Sequence, residues 1–352
     1  MSSDVQIHRH SIFQDNWPYS EKTPASVNEN LNADFPKISI IIPSYNQGNF
    51  IEETLLSIIN QKYPNTEIIV IDGGSQDNTP EIIQKYASHI NYHISEKDQG
   101  QSDAINKGLE KVSGEIINWI CSDDLLLPGA LFALSKAFED PEVQVVCGWS
   151  RQFYQQDDLG LACTTLYKSL PELLYLTHVC QPATWYRKHT LEGLKPLNTE
   201  LHYTMDSEWW LLYLLKNKLN GVKEIPFVIS GYRYHDQSKT VMHDTKFRND
   251  KLQLTYPVLL RMEAPAFFTR LYESFNKSLI PEKLKSNEVH PDINKKEVLL
   301  YYSRKTLSFC KVRGKYLQFL MILLYHIYLK PMRSFREYLN LLKQDIAPKF
   351  FQ

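Results

Sequence analysis

Ile116-Ile117-Asn118-Trp119-Ile120-Cys121-Ser122-Asp123-Asp124 is the stretch that decides how this chain is read. A short, mostly apolar run predicts a buried strand, and two adjacent carboxylates follow it directly. In an open α/β sheet ligands settle at the carboxyl ends of the strands, where this pair would stand. Like charges side by side repel unless a cation or hydrogen-bond donors hold them. Oxygen ligands of this type suit Mg²⁺ or Mn²⁺, ions that bridge a protein carboxylate to a substrate diphosphate. Taken alone, the pair also fits a solvated turn capping a helix that starts near Pro128. The residues upstream decide between the two.

From Lys37 onward, short apolar runs alternate with helical patterns, the signature of βαβ units and a largely parallel sheet. Ile38-Ser39-Ile40-Ile41-Ile42 reads as a strand closed by Pro43, which cannot donate to a ladder. Ile51, Thr54, Leu55 and Ile58 recur at helical spacing. A second strand over Glu67–Ile71 ends in Asp72-Gly73-Gly74-Ser75, and Asp77 precedes the next helix as its cap. A weaker strand, Asn91–Ile94, leads through Asp98-Gln99-Gly100 into a helix carrying Asn106, which Gly114 ends. Right-handed crossovers put the carboxyl ends of parallel strands on one side, so Ser44, Asp72 and Asp123-Asp124 should converge at one edge.

Five ordered motifs make this part resemble the inverting family 2 glycosyltransferases of the GT-A fold: Ile42-Pro43-Ser44-Tyr45-Asn46, Val70 to Thr79, Glu96 to Gly100, Asp103 to Gly108 and Ser122-Asp123-Asp124. The likeness covers about residues 37–240. It implies an α/β fold with a mostly parallel sheet flanked by helices, followed by a C-terminal helical segment. It also implies a nucleotide-sugar donor, UDP-linked, and a glycan or lipid-linked acceptor in cell-surface polysaccharide synthesis. On the donor side, Pro43, Ser44 and Tyr45 offer backbone groups and an aromatic face for a base. Asp72 would accept from uracil or ribose, unless it serves only the turn at Gly73-Gly74. Asp98, Gly100 and Asn106 match a segment lining the donor pocket; an ordinary loop entering a helix is the alternative. The resemblance assigns Asp124 to Mg²⁺ or Mn²⁺ and Asp123 to the ribose or a metal-bound water. Ser122 stands where the motif often has an acid.

The later motifs would supply the acceptor side. The segment 179–187, with Gln181 and Arg187, resembles a strand near the acceptor pocket. Asp206 opens a helix that also carries Glu208 and Trp209, in the place where the family keeps its catalytic base. An acid at a helix N-terminus stays ionised, as a base for a sugar hydroxyl must. Asp206 is therefore the expected base and Glu208 its reserve, with simple helix capping as the competing role. Trp209 is expected to face the acceptor. His235, in Gly231 to Ser238, would close over the diphosphate and reach the metal, although a lone His is commonly structural.

The 352 residues and net charge of −1 suit one good core plus an appended segment, with no basic field for nucleic acid. The expected organisation is an N-terminal extension over 1–35, a catalytic domain over 36–245 and a helical region over 246–352. The donor half would be 36–127 and the acceptor half 128–245. Five Cys without a pairing pattern and an N-terminus without an apolar signal core predict a cytoplasmic protein. Between Arg304 and Lys343, nine basic residues and one acid, Glu337, surround the apolar stretch Leu317–Leu329. That stretch is shorter than the ~20 residues of a spanning helix, so it would lie on an anionic membrane face or pack back on the domain. Two rival functions remain, a sugar nucleotidyltransferase and a non-catalytic nucleotide-sugar-binding protein. Against the first, the loop after Ser44 lacks the basic residue such enzymes carry.

Overall fold

The computed structural model describes residues 17–19, 35–192, 194, 196–239, 244–275, 289–312 and 316–330. Most of the N-terminal extension and the basic tail beyond Lys330 lie outside the described residues. The first half of the chain alternates β1 (Ile38–Ser44), α1 (Ile51–Ile59), β2 (Thr66–Asp72), α2 (Thr79–Lys85), β3 (Tyr92–Ser95), α3 (Gln101–Leu109) and β4 (Ile116–Trp119). Its four strands are all parallel, in the order β3-β2-β1-β4. Strands β1 and β4 are buried along their whole length, which is why they read as continuous apolar runs rather than alternating ones.

Pro43 does not close β1; the strand runs one residue further, with Ser44 opposite Asp72. The reason lies in which way Pro43 faces. Its carbonyl accepts from the Ser122 hydroxyl at 3.1 Å, on the β4 side, where the ladder has already ended at Ile41 opposite Trp119. The missing N–H therefore costs no sheet hydrogen bond.

Beyond β4 the sheet is mixed. The chain adds β5 (Leu125–Leu126), α4 (Ala130–Ala137), β6 (Val145–Tyr154), β7 (Asp157–Cys163), α5 (Leu170–Leu176), β8 (Thr184–Arg187), α6 (Lys188–Glu192), α7 (Met205–Asn217) and β9 (Val222–Tyr234). The order continues β4-β8-β6-β9-β5, with β7 paired to β6. Strand β9 runs parallel to β6 and antiparallel to β5.

The chain divides into two compact units. The first holds the whole sheet. The second takes Leu166–Thr177, Leu211–Lys218 and the residues from Arg248 onward, so the stretch assigned above to an acceptor half belongs only partly to the sheet unit. Helix α5 goes with the second unit because Leu173 and Leu174 are buried there and Tyr175 stacks edge-on against Tyr301 and Tyr302. That unit also contains α8 (Asp244–Arg261) from Arg248 onward, α9 (Ala266–Phe275), α10 (Lys295–Val312) and α11 (Tyr316–Leu329). Its interior is bridged by hydroxyls: Tyr302 to the Leu174 carbonyl at 2.7 Å, and Ser303 with His326 at 2.8 Å. Helix α11 buries Ile322, His326 and Leu329 and leaves Leu317, Leu320, Leu324 and Tyr328 exposed. Among the described residues, no helix is long and apolar enough to cross a membrane.

Candidate active site

Strand β4 ends at Trp119, and the Asp124 N–H turns back onto the Cys121 carbonyl at 2.9 Å. The chain then enters β5, whose Leu125 and Leu126 lie opposite Gly231 and Ser230 of β9. The acids therefore precede a strand and not a helix, and α4 starts only at Ala130. From the other side α1 holds the same turn. Its buried face is not wholly apolar: the Thr54 hydroxyl donates to the Asp124 carbonyl at 2.8 Å, and Ser57 Oγ accepts from the Leu126 N–H at 3.0 Å. Just past the helix, the Gln61 amide reaches the Leu127 carbonyl at 2.8 Å. Ser122 serves as a clip to Pro43.

Asp124 is 2% exposed, and one carboxylate oxygen accepts the Arg233 backbone N–H at 3.0 Å. Burial, and next the charge of Asp123, push its carboxyl well above the usual carboxylate range. Cys121 Sγ and carboxylate oxygens of Asp123 and Asp124 lie within 4.8 Å of one another. Burial, followed by those same two acids, raises the Cys121 thiol well above its ordinary value, so it stays protonated. The hard donors of this trio are thus the two carboxylates. A buried and a half-buried carboxylate side by side, with an oxygen donor set, fit Mg²⁺ or Mn²⁺. His235 was expected to share the metal with Asp124, but its Nε2 contacts Asp123 Oδ2 at 3.0 Å, and its ring lies on Phe50 at 4.5 Å. It is a partner of Asp123, not a member of the ligand-capable trio.

On the donor side, the parallel register sets Ser44 beside Asp72. Asp72 is fully buried and accepts from the Ser75 N–H at 3.0 Å and from the Ser75 and Ser95 hydroxyls. The Ser44 hydroxyl is buried with no partner among the described residues, whereas Tyr45 beside it is 58% exposed. Asp98 packs on Gly73, where an added Cβ would sit 2.6 Å from its carboxylate oxygen, and it accepts the Gly100 N–H at 2.8 Å. Burial, then the neighbouring Asp103 and Asp72, raise the Asp98 carboxyl. Gly100 opens α3 at φ +111°, a left-handed conformation that glycine adopts without strain. Asp77 lies one residue before the N-cap of α2, which is Asn78; its carboxylate accepts from the N–H and hydroxyl of Thr79, the first helical residue, and from the Gly48 N–H at 2.9 Å. Asn106 does not face the donor: both ends of its amide grip the backbone of Leu197, at 2.8 Å each.

All three expected acceptor residues make contacts within the fold. Arg187 lies opposite Ile116, at the end of β4 away from the acids, and donates to the carbonyls of Val143, Phe138 and Asp140. Trp209 is 2% exposed and edge-stacks on Trp119 and Tyr186. Gln181 spends its amide N–H groups on Asn118 Oδ1 at 2.9 Å and the Trp119 carbonyl at 2.8 Å, bracing β4. Asp206 is half-buried in the first turn of α7, while Glu208 is 4% exposed and accepts the Asn198 N–H at 3.1 Å. The Thr204 hydroxyl, just ahead of this turn, is buried without a partner among the described residues.

Phe50, Glu53 and Cys121 were not picked out from the sequence. Arg233, next to last in β9, and His235, one residue past the strand's end at Tyr234, both reach the acidic turn. Lys239 also joins the site's rim, donating to Gln101 Oε1 at 2.8 Å and the His202 carbonyl at 3.2 Å.

Residues 39–234, more than half of the chain, match the family model described as Glycosyl transferase family 2. An uncharacterized glycosyltransferase of Rickettsia typhi is 30% identical over 219 residues, covering 58% of this chain and 66% of the relative. A poly-beta-1,6-N-acetyl-D-glucosamine synthase of Staphylococcus epidermidis is 30% identical over 136 residues, covering 38% and 33%. The chain thus spans about two thirds or less of these relatives' lengths. The structure of S. aureus TarS 1–349 in complex with UDP-GlcNAc aligns with a TM-score of 0.55 at 18% identity, over 84% of this chain and 82% of that one. At that identity the likeness concerns the fold, which is that of the GT-A enzymes. With its parallel half-sheet, the acids at its carboxyl edge and the matched segment from Ser39 to Tyr234, the chain belongs to glycosyl transferase family 2.

Proposed function

We propose that the chain transfers a sugar from a UDP-linked nucleotide sugar to an acceptor hydroxyl with inversion, in the synthesis of surface polysaccharide or a lipid-linked glycan. The observation that carries this reading is the meeting of Ser44, Asp72 and the Asp123–Asp124 turn at one edge of the parallel strands. The buried, unpartnered Ser44 hydroxyl and the exposed Tyr45 ring beside it supply a polar contact and a stacking face for the nucleotide. TarS, whose structure holds UDP-GlcNAc, supports the donor class, and the named polysaccharide synthase supports the pathway.

Asp123 and Asp124 would hold Mg²⁺ or Mn²⁺, which when bound supplies positive charge against the departing diphosphate. Asp206, in the first turn of α7, takes the proton from the acceptor hydroxyl. The freed oxygen attacks the anomeric carbon as the bond to the diphosphate breaks, in one in-line displacement that inverts the stereochemistry. The apolar ridge of α11, followed by basic sequence, suits peripheral attachment to an anionic membrane face, close to a lipid-linked acceptor.

The test is UDP release and thermal shift with a panel of UDP-sugars and Mn²⁺. Stabilisation together with UDP release, both lost in Asp124→Asn, is the expected result. Stabilisation with neither hydrolysis nor transfer would make the chain a binding protein. Pyrophosphate release from UTP and a sugar phosphate would make it a nucleotidyltransferase.

A further inference from the structure

The acidic turn is held by a residue whose own charge is already spent. Arg233 donates its backbone N–H to Asp124 Oδ1 at 3.0 Å and its Nε–H to the Asp123 carbonyl at 2.9 Å. Its terminal nitrogen forms an ion pair with Glu53 of α1. The guanidinium lies over the rings of Phe50 and Phe153, at 5.3 and 4.8 Å from their centroids. A planar fork held by two aromatic rings and at two of its nitrogens has little freedom to swing toward a ligand. Without Glu53 the same cation would stand beside two carboxylates and compete with a metal ion for them.

A second set of contacts reaches the same turn from outside the family-matched segment, which begins at Ser39. Trp17 is 1% exposed and donates its indole N–H to the Leu126 carbonyl at 3.0 Å. Asn60 donates to the Pro18 carbonyl at 2.7 Å, and the Tyr19 hydroxyl donates to Glu53 at 3.2 Å. Residues 17–19 of the N-terminal extension are therefore strapped over α1 and β5, with Tyr19 on the carboxylate that holds Arg233.

We propose that Arg233, fixed by Glu53, is the positioning residue that shapes the Asp123–Asp124 pair for a divalent cation, and that the Trp17–Tyr19 strap braces this arrangement. The inference rests on the proposed function only in taking the pair as a metal site. Groups that orient ligands without touching the metal are worth ~10–100-fold in affinity. In full-length protein with UDP present, Mn²⁺ binding followed by the electron paramagnetic resonance of free Mn²⁺ should weaken about tenfold or more in Glu53→Gln and Arg233→Lys. Tyr19→Phe should weaken it in the same direction by a smaller factor. Glu52→Gln, next to Glu53 on α1, removes the ion pair with Lys85 of α2 and should leave Mn²⁺ affinity unchanged. Melting temperatures measured in chelator separate a folding defect from lost affinity, and Glu53→Gln serves if Arg233→Lys does not fold. Wild-type Mn²⁺ affinity in Glu53→Gln, whatever its melting temperature, would overturn the inference, as would a wild-type chain that binds no Mn²⁺. Tight Mn²⁺ binding that depends on Glu53, with no turnover of any UDP-sugar, would retain the inference and defeat the proposed reaction instead.

Discussion

The assignment of the base can be tested by two substitutions two residues apart on α7. Asp206 is half-buried in the first turn, where the helix dipole favours its anion by ~0.3–1 kcal/mol. Losing that dipole contribution with asparagine at 206 corresponds, for a chain of this size, to a Tm shift of ~0.5–1.5 °C. Losing a general base costs ~10²–10⁴ in rate, or about 3–5 kcal/mol of barrier. Asp206→Asn should therefore leave the KM for the UDP-sugar near its wild-type value and lower kcat by at least two orders of magnitude. Glu208 has a different task. It is 4% exposed, and its carboxylate accepts the Asn198 N–H, a bond that a glutamine oxygen at the same place can still accept. Glu208→Gln should keep most of the turnover. Steady-state kinetics of UDP release with a competent acceptor read both variants. Near-normal kcat in Asp206→Asn together with collapse in Glu208→Gln would move the base to Glu208 and refute the reasoning.

Arg187→Ala should cost about 3 kcal/mol in urea denaturation, because three carbonyl acceptors lose a charged donor, while donor KM stays unchanged. Glu67 gives a pH signature. Burial resists its ionisation, but Lys37, the N–H and hydroxyl of Ser113 and the hydroxyl of Ser39 outweigh burial and hold the carboxyl down at about 2. A carboxyl depressed on folding stabilises fully above its unfolded pKa of ~4.3, and that contribution fades as pH falls toward 2. The stability gap between wild type and Glu67→Gln should accordingly be widest near neutrality and close between pH 5 and 2. On α11, Leu320→Glu with Leu324→Glu changes two exposed positions and should abolish flotation with anionic vesicles without lowering Tm. Equal partitioning of variant and wild type would remove the ridge as a membrane contact.

The donor half was legible because its signals are local: β-branched runs long enough to show burial on both faces, and an acid or small polar residue at each strand's end. What the sequence hid depends on pairing between distant segments. Strand β5 has two residues, too few to display any period, yet its register with β9 brings Arg233 onto Asp124. Trp209 looks like a binding aromatic at a helix start. In the structure Trp209, Trp210 and Leu211 are all buried, so this part of α7 has no polar stripe from which to infer a facing. Arg187 ends a strand as a ligand-binding arginine would, and only the antiparallel register of β8 against β4 shows that it stands at the wrong end. Asn106 sits on an amphipathic helix in a family motif, but its partner Leu197 is ninety-one positions away.

The acids of this site are chemically alike in sequence and differ in how completely the protein satisfies them. Asp77 accepts from Thr79 twice and from Gly48, and although burial resists its ionisation, those donors hold its carboxyl below the usual value. Asp72 is enclosed by Ser75 and Ser95. Both carboxylates have their charge balanced by hydrogen-bond donors of the fold itself. Asp124 is buried much as Asp72 is, yet among the described residues its carboxylate accepts one N–H, beside a second acid. A buried anion held by one donor and crowded by a like charge is stable only as the acid or with a cation. Meanwhile the backbone around it is fixed by Thr54, Ser57, Ser122 and Arg233. A rigid frame around under-satisfied carboxylates is the arrangement that metal binding rewards, since the geometry is prepared before the ion arrives and the electrostatic deficit is repaid only when it does.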